Sequence, residues 1–438
     1  RLFSDRKGGC SMQMKKRINT LTGETLYEGT HPSGLKICIM PKPGYRQNYA
    51  IFGTRYGSVD SEFIVPGETE ITKVPDGIAH YLEHKMFDMP DGTNIFDEFS
   101  KNGANANAFT SFNMTAYLFS ATSKLYENLA TLLKYVQTPY FTAESVEKEQ
   151  GIIGQEIKMY EDSASWKVFF NLLNCLYQKN PVRLEIAGTV ESISHITEKY
   201  LYRCYNTFYN LSNMLLFVTG DLDVEKTVRT INDNIQENKP FTEEIKRIYP
   251  EEPKEIAESY HEQKLSVAQP LFMIGFKDND VGYGGEPLLI KTIEMSILTT
   301  MLFGKGSKLY QTLYEQGLID PGFSAEYNPE ISYCFTAIEG ESKDPKRVYE
   351  MILDYLSDFE PNEDDFNRIK KVIWGDYIRS HNDLEEFAHA YLSLSFTGAD
   401  YFDYHSAYEK VTFEGTKKRF YEQFNRDRSA LSVILPAD

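Results

Sequence analysis

The chain has 438 residues, 41% of them hydrophobic, and a formal net charge of −18. This length exceeds what one core can hold and predicts two or more domains. The acidic balance argues against a surface for nucleic acid or anionic membranes, because such a surface needs a basic patch. We find no apolar run near the 18 residues of a membrane span, and no signal-peptide pattern in the polar, basic start of the chain.

Hydrophobic patterning predicts short strands and helices in alternation. In chain order we expect strands at 35–40 and 49–56, helices at 76–88 and 96–101, a strand within 104–119, helices at 124–136, 143–160, 169–177 and within 188–209, and a buried strand at 213–220. The cysteines are scattered and form no Cys-x-x-Cys pair, which indicates a reducing compartment and predicts a cytoplasmic protein. They are Cys10, Cys38, Cys175, Cys204 and Cys334.

The helix that begins near Asp76 carries the clearest chemical motif. With Asp76 as its N-cap, its apolar residues recur every four positions and should face a core: Ile78, Leu82 and Met86. His80 and His84 are also four apart, on the opposite side, so both imidazoles can reach one metal ion. Glu83 lies beside them, where it can contact a metal-bound water. The order His-x-x-Glu-His is the inverzincin signature; the alternative is a half-exposed helix face that binds nothing.

Two later segments add candidate residues. Residues 104–108 are small and run into a strand, which allows another chain to approach the backbone closely or, alternatively, reflects tight sheet packing. The helix after Thr142 carries Glu149 and Glu156 on one side. It also contains two glycines, each of which costs roughly 1 kcal/mol relative to Ala in a helix interior. We therefore expect another element to pass close to this helix.

The second half of the chain repeats the first at an offset of about 220 residues. Residues 353–356 match residues 133–136, and Asp376 falls on the second of the two helix carboxylates. At a slightly smaller offset, Ser296 and Thr300 fall on the two histidines. The repeat predicts one duplicated fold in which only the first copy can bind a metal.

Taken together, the His-x-x-Glu-His motif, Asn107-Ala108 on a strand, and two glutamates seven residues apart on a later helix resemble the M16 (pitrilysin/insulinase) family of zinc metallopeptidases. The resemblance covers nearly the whole chain, and the length is similar to that of the half-size bacterial, processing-peptidase-like branch. It implies the α+β, LuxS/M16-like metalloenzyme fold, with two homologous domains, each a mostly antiparallel sheet packed with helices on one face.

The domain boundaries expected on this basis are continuous in sequence. They are an N-terminal extension at 1–24, a zinc-bearing catalytic α+β domain at 25–235, a polar, proline-containing linker at 236–262, and a homologous second α+β domain without the metal motif at 263–438.

The resemblance also implies Zn²⁺ as the cofactor, with three ligands: His80, His84 and Glu156. Glu83 would be the general base, and Glu149 a carboxylate that supports the ligands, unless Glu149 simply lies on a solvated face. Asn107 and Ala108 would belong to an edge strand that pairs with substrate. Two imidazoles and one carboxylate leave a fourth position open, as catalytic zinc requires.

One segment departs from the family pattern. Active members usually carry an Arg and a Tyr, seven residues apart, in the second half. Here Tyr314 stands at the Arg position, and Asp320 or Pro321 at the Tyr position. The resemblance therefore implies a zinc-bearing subunit that forms a homodimer, or a heterodimer with a related M16-like chain that supplies the pair.

The sequence thus predicts a zinc-dependent endopeptidase subunit that hydrolyses peptides or small unfolded proteins. Because the Arg/Tyr pair is absent, the first alternative is a peptide-binding or processing scaffold of low activity. The second alternative is a metal-dependent amidase for small molecules, which an edge strand suited to an extended backbone disfavours.

Overall fold

The computed structural model describes residues 12–437. Its first half contains β1 (Lys15–Ile18), β2 (Thr25–Thr30), β3 (Lys36–Pro41), β4 (Asn48–Thr54), β5 (Glu62–Ile64), β6 (Thr72–Lys73), α1 (Ile78–Lys85), α2 (Ile95–Lys101), β7 (Ala104–Thr110), β8 (Thr115–Ala121), α3 (Leu125–Val136), α4 (Ala143–Glu161), α5 (Ala164–Leu176), α6 (Val190–Ser194), α7 (Glu198–Phe208), β9 (Met214–Gly220) and α8 (Val224–Asn234).

The second half contains β10 (Lys246–Arg247), β11 (Tyr260–Leu265), β12 (Leu271–Asp278), α9 (Gly285–Phe303), α10 (Lys308–Glu315), β13 (Ser324–Pro329), β14 (Cys334–Glu341), α11 (Pro345–Asp358), α12 (Glu363–Ser380), α13 (Leu384–Phe396), α14 (Tyr404–Lys410), α15 (Phe413–Gln423) and β15 (Ser429–Pro436).

The two large sheets share one strand order. The first runs β1-β2-β3-β9-β4-β8-β7, and the second runs β11-β15-β12-β14-β13. Each has one parallel pair, β3 with β9 and β11 with β15, while the other strand pairs are antiparallel. The last five strands of the first sheet therefore correspond one by one to the five strands of the second. This confirms the α+β class and the duplication.

Helices cover the first sheet on both faces, not on one. On one face, the ring of Tyr117 in β8 packs edge-on against Tyr135 of α3, with centroids 5.7 Å apart. On the other face, a Cβ on Gly53 of β4 would lie 2.6 Å from Leu392 of α13. Gly53 pairs with Ala116, the neighbour of Tyr117, and so faces the opposite side. Both faces need apolar cover because every residue of β4 is buried.

Helix α5 plays the same part in the second sheet. A Cβ on Gly275 of β12 would lie 2.7 Å from Leu176 and 2.9 Å from Leu172, both on α5. Glycine at this position therefore allows the helix to lie directly against the strand. Helix α5 begins at Ala164 and α13 at Leu384, 220 residues later, so they are equivalent helices of the two repeats.

The chain forms two compact units that exchange these helices. Among the described residues, one unit contains 12–157, 185–248 and 380–396, and the other contains 158–184, 249–379 and 397–437. The continuous boundaries expected at 25–235 and 263–438 do not describe this exchange. An amphipathic helix pattern shows that one face is buried, but it does not show which sheet buries it.

Two further boundaries differ from expectation. Within the predicted N-terminal extension, residues 1–11 lie outside the described residues, whereas β1 pairs with β2 as a strand of the first sheet. The expected linker at 236–262 contains β10, which pairs with β5, and the first residues of β11. Short polar strands such as Lys246–Arg247 lack the apolar alternation by which a strand is recognised in sequence.

Helix α9 belongs to the core of the second unit. By length and composition alone, the segment from Gly285 to Glu315 could cross a membrane, but 67% of its most apolar window is buried inside the protein. Met295, Leu298 and Leu302 are buried there in one cluster with Phe276. We therefore interpret α9 as a core helix, and this apolar window is longer than sequence inspection suggested.

Candidate metal centre

The start of α1 is fixed by two glycines rather than by an aspartate cap. The N-cap position is Gly77, with φ of 90° and no side-chain cap, so the expected cap at Asp76 is wrong. A Cβ on Gly77 would lie 2.4 Å from the carbonyl oxygen of Ala187, and a Cβ on Gly188 would lie 2.6 Å from that of Asp76. Ser192 Oγ also donates to the Asp76 carbonyl at 2.9 Å. Close packing between the backbone at 76–77 and the backbone at 187–188 thus fixes where α1 begins and in which direction it runs.

Helix α1 has the two faces that its sequence predicted. The apolar stripe is buried: Ile78, Leu82 and Met86. On the other side, the imidazole rings of His80 and His84 lie with their centroids 4.6 Å apart. Glu83, on the same helix, is only 7% exposed. The helix therefore presents two nitrogen donors and one carboxylate together.

Contacts from buried polar side chains of α1 hold α4 against it. Tyr81 donates its hydroxyl hydrogen to the carbonyl of Val146. Lys85 is fully buried, and its Nζ donates to the carbonyl of Ser145 at 3.2 Å and to the carboxylate of Asp88. The start of α4 is itself capped, because Thr142 Oγ1 accepts the backbone N–H of Ser145 at 3.1 Å. These contacts fix the position of α4 relative to α1, and therefore the positions of the glutamates on α4.

Glu156 of α4 completes a group of three donors. Its Oε1 is 3.6 Å from His80 Nε2, and its Oε2 is 3.3 Å from His84 Nε2. One donor atom from each of the three residues lies within 4.8 Å of the others. Two imidazoles and one carboxylate are the donors of a catalytic zinc site with an open fourth position. The donor set therefore fits the metal that the sequence predicted.

Glu149 lies behind His84 and contacts its other ring nitrogen, with Oε1 3.1 Å from Nδ1. Burial lowers the pKa of His84, but hydrogen bonds to Glu149 and Glu156 outweigh burial and raise this pKa to about 10. The His84 ring thus lies between two carboxylates, with Glu149 at Nδ1 and Glu156 at Nε2. A metal ion at Nε2 would require that nitrogen to be unprotonated.

Glu83 is held by the end of strand β7. Thr110 Oγ1 donates to Glu83 Oε2 at 2.6 Å. Burial raises the pKa of the Glu83 carboxyl, while His80, the Thr110 hydroxyl and His84 act in the opposite direction. A buried carboxylate with raised proton affinity is suited to taking and returning a proton. Thr110 was not singled out in the sequence; its position three residues after Asn107 was the available signal.

The strand that contains Asn107 and Ala108 lies at the end of the first sheet and pairs there with β8. Asn107 is exposed, and its Oδ1 accepts the backbone N–H of Ala108 at 2.9 Å. A strand N–H that bonds to a neighbouring side chain is directed away from the paired strand. The structure therefore places both residues on an edge that an extended chain could join.

The two glycines of α4 do not mark a close contact with another element. A Cβ added to Gly151 or Gly154 would meet nothing within 4 Å, so the expectation of a closely passing element is wrong.

The positions at which the family's Arg and Tyr were expected lie at and after the end of α10. Tyr314 lies exposed near the end of α10, and Asp320 lies in the turn after it, where its carbonyl accepts the N–H of Phe323. Both positions are in the second unit.

Comparison with known proteins shows the family of the chain. The model of Insulinase (Peptidase family M16) matches residues 67–190, and the model of the Peptidase M16 inactive domain matches residues 195–373. A relative named uncharacterized zinc protease YmfH, from Bacillus subtilis, is 42% identical over 419 residues, which cover 94% of this chain and 97% of the relative.

Solved structures agree as well. A crystal structure described as an M16-like peptidase from Alicyclobacillus acidocaldarius aligns with a TM-score of 0.89 and 35% identity, covering 98% of this chain and 99% of that one. A protease from Helicobacter pylori shares the fold at a TM-score of 0.77 with 17% identity, covering 94% of this chain and 99% of that one. The chain therefore belongs to peptidase family M16, the insulinase family of metallopeptidases.

Proposed function

We propose that this protein is a zinc-dependent endopeptidase subunit that hydrolyses peptides or small unfolded proteins. The observation that supports this most strongly is the meeting of His80, His84 and Glu156 within 4.8 Å, with Glu83 on the same helix as the histidines. Several relatives are named zinc proteases, which supports Zn²⁺ as the metal. A cytoplasmic location remains part of the proposal, and it is supported by four buried cysteines that form no disulfide among residues 12–437.

In this proposal, His80, His84 and Glu156 would hold the metal, a set of three ligands as in catalytic zinc sites. When bound, zinc would polarise the scissile carbonyl and lower the pKa of a water molecule to about 7. Glu83 would take a proton from the attacking water and return it to the leaving amine. Glu149 accepts the Nδ1 hydrogen of His84 and so directs Nε2 of the same ring at the metal position.

Substrate binding is assigned to the free edge of β7. Extended peptides bind to sheet edges through main-chain hydrogen bonds, and Ala108 has an N–H directed to that edge. Asn107 would have to release this N–H before a substrate carbonyl could accept it. A sheet edge that offers main-chain hydrogen bonds favours an extended peptide over a compact small molecule.

The proposal includes a partner that supplies an Arg and a Tyr. Tyr314 lacks the positive charge and the forked donors of a guanidinium, and neither Asp320 nor Pro321 offers a hydroxyl donor. A lost oxyanion donor typically costs roughly 10²–10³ in rate. The isolated chain, even as a homodimer, should therefore be weak, and an M16-like partner that carries the pair should restore activity in a heterodimer.

The test is hydrolysis of a fluorogenic peptide library by this chain alone and mixed with an Arg/Tyr-bearing M16 relative. We expect the mixture to be at least about tenfold faster, a conservative part of the donor loss. A chelator or Glu83→Gln should abolish the rate. Equal rates for the chain alone and the mixture would contradict the two-protein arrangement. Peptide binding without hydrolysis in either sample would instead identify a scaffold.

A further inference from the structure

We propose that Thr110 is a positioning residue for Glu83, so that the strand assigned to substrate binding also orients the general base. The inference rests on the proposed function. Thr110 Oγ1 donates a hydrogen bond of 2.6 Å to Glu83 Oε2. Thr110 is the last residue of β7, and Glu83 lies on α1. The contact therefore joins the sheet edge directly to the helix that holds both histidines.

The hydroxyl of a second threonine, Thr115, lies next to the Thr110 hydroxyl. Thr110 and Thr115 lie directly opposite each other in the β7–β8 pair, with their Oγ1 atoms 3.3 Å apart. Thr115 is fully buried, and its Oγ1 donates to the carbonyl of Tyr56 at 2.9 Å. A hydroxyl has one hydrogen to donate, and an ionised carboxylate can only accept. The hydrogen of Thr110 is therefore the one in its bond to Glu83.

The hydrogen bond from Thr110 fixes one oxygen of the Glu83 carboxylate. A glutamate side chain has three rotatable bonds, and at 7% exposure Glu83 has little access to solvent. With Oε2 bonded to Thr110, Oε1 is the oxygen left to exchange a proton with the attacking water. A misplacement of about 1 Å in a reacting group can cost on the order of 10²-fold in rate. Thr110 would therefore affect the chemical step without touching the metal.

The same contact couples substrate binding to the base. Ala108 directs its N–H to the free edge of β7, and Thr110 follows two residues later on the same strand. A peptide paired along this edge would order the strand end that holds Glu83. The base should then be best placed when an extended peptide is bound.

Two variants separate a hydroxyl contact from simple packing. Thr110→Val keeps the branched shape that suits a strand but removes the hydroxyl, and Thr110→Ser keeps the hydroxyl. We expect Thr110→Val to lower kcat about ten- to a hundredfold, with KM, zinc content and melting temperature near those of the unsubstituted protein. Thr110→Ser should recover most of the lost kcat, because serine keeps the hydroxyl donor. Crystals of the zinc-loaded Thr110→Val protein should show the Glu83 carboxylate moved from its position or in several rotamers.

An unchanged kcat in Thr110→Val would overturn the inference. Equal losses in Val and Ser variants, or a loss that appears in KM or zinc content, would also overturn it by assigning Thr110 to packing or binding. If the unsubstituted protein hydrolyses no peptide, the proposed endopeptidase function fails. In that case the position of Glu83 in the Thr110→Val crystals still decides whether the hydroxyl orients it.

Discussion

His84 Nδ1 and Glu149 Oε1 lie 3.1 Å apart, which ties one histidine of α1 to a carboxylate two turns before Glu156 on α4. The contact leaves the other ring nitrogen, Nε2, facing Glu156 at the candidate metal position. It also gives Glu149 a role distinct from that of Glu156, whose two oxygens approach the Nε2 atoms of both histidines. One helix thus contributes both a candidate ligand and the support for another.

Replacing Glu149 should therefore weaken metal binding without abolishing it. Partners behind metal ligands typically contribute a factor of about 10–100 in affinity, so we expect Glu149→Gln to raise the zinc dissociation constant by that factor. Competition with a chromophoric chelator measures it. Glu147→Gln, an exposed change on the same helix, is the matched control. Equal affinities in the two variants would place Glu149 outside the metal centre.

The three proposed ligands should differ from the base in their effect on metal content. Purified protein should contain about one zinc per chain. His80→Ala, His84→Ala and Glu156→Gln should each lower that content, because each removes a donor atom, whereas Glu83→Gln should keep the metal and lose turnover. Elemental analysis of each variant beside its peptidase rate is the measurement. Full zinc content in Glu156→Gln would contradict its assignment as a ligand.

The edge-strand assignment predicts a specific effect of proline. Ala108→Pro removes the N–H directed to the free edge of β7. We expect KM to rise or peptide binding to be lost, with zinc content retained and the protein folded by circular dichroism. Ala106→Ser, a small change on the same strand, is the control. Unchanged kinetics in a folded Ala108→Pro protein would return this strand to a purely structural role.

The glycine packing at the start of α1 predicts a stability difference between two glycines that both have positive φ. Gly188→Ala adds a Cβ at φ of 72° and 2.6 Å from the Asp76 carbonyl, whereas Gly44→Ala adds one at φ of 85° with nothing within 4 Å. Gly44→Ala should cost roughly 1–2 kcal/mol in the free energy of unfolding, from its conformation alone. Gly188→Ala should cost more and also lower zinc content. Urea unfolding of both proteins tests this, and equal stabilities would argue against the close backbone contact.

Much of the fold and of the candidate site was predictable because the signals are local. The apolar stripe of α1 and the spacing of His80, Glu83 and His84 depend on a single helix, and the cap at Thr142 depends on a four-residue pattern. The duplication was visible because the offset of about 220 residues persists in the element bounds, as α5 and α13 show. Such features need no knowledge of which elements pack together.

Features that depend on distant packing were not predictable in the same way. Helices α5 and α13 lie against Gly275 and Gly53, where a Cβ would leave no room for them. Nothing in the sequence around either glycine indicates that a helix from the other repeat packs there. The bond from Thr110 to Glu83 depends on where the end of β7 lies beside α1. The glycines of α4 were misinterpreted because a glycine in a helix can face open space as well as a closely packed neighbour.

Anomalous diffraction at the zinc edge, from crystals grown with zinc, tests the proposed metal centre most directly. We expect one strong peak within about 2.0–2.2 Å of His80 Nε2, His84 Nε2 and a carboxylate oxygen of Glu156, with Glu83 close by but not bonded to the metal. A peak elsewhere, a peak that lacks Glu156, or no peak at full zinc saturation would contradict the proposed centre.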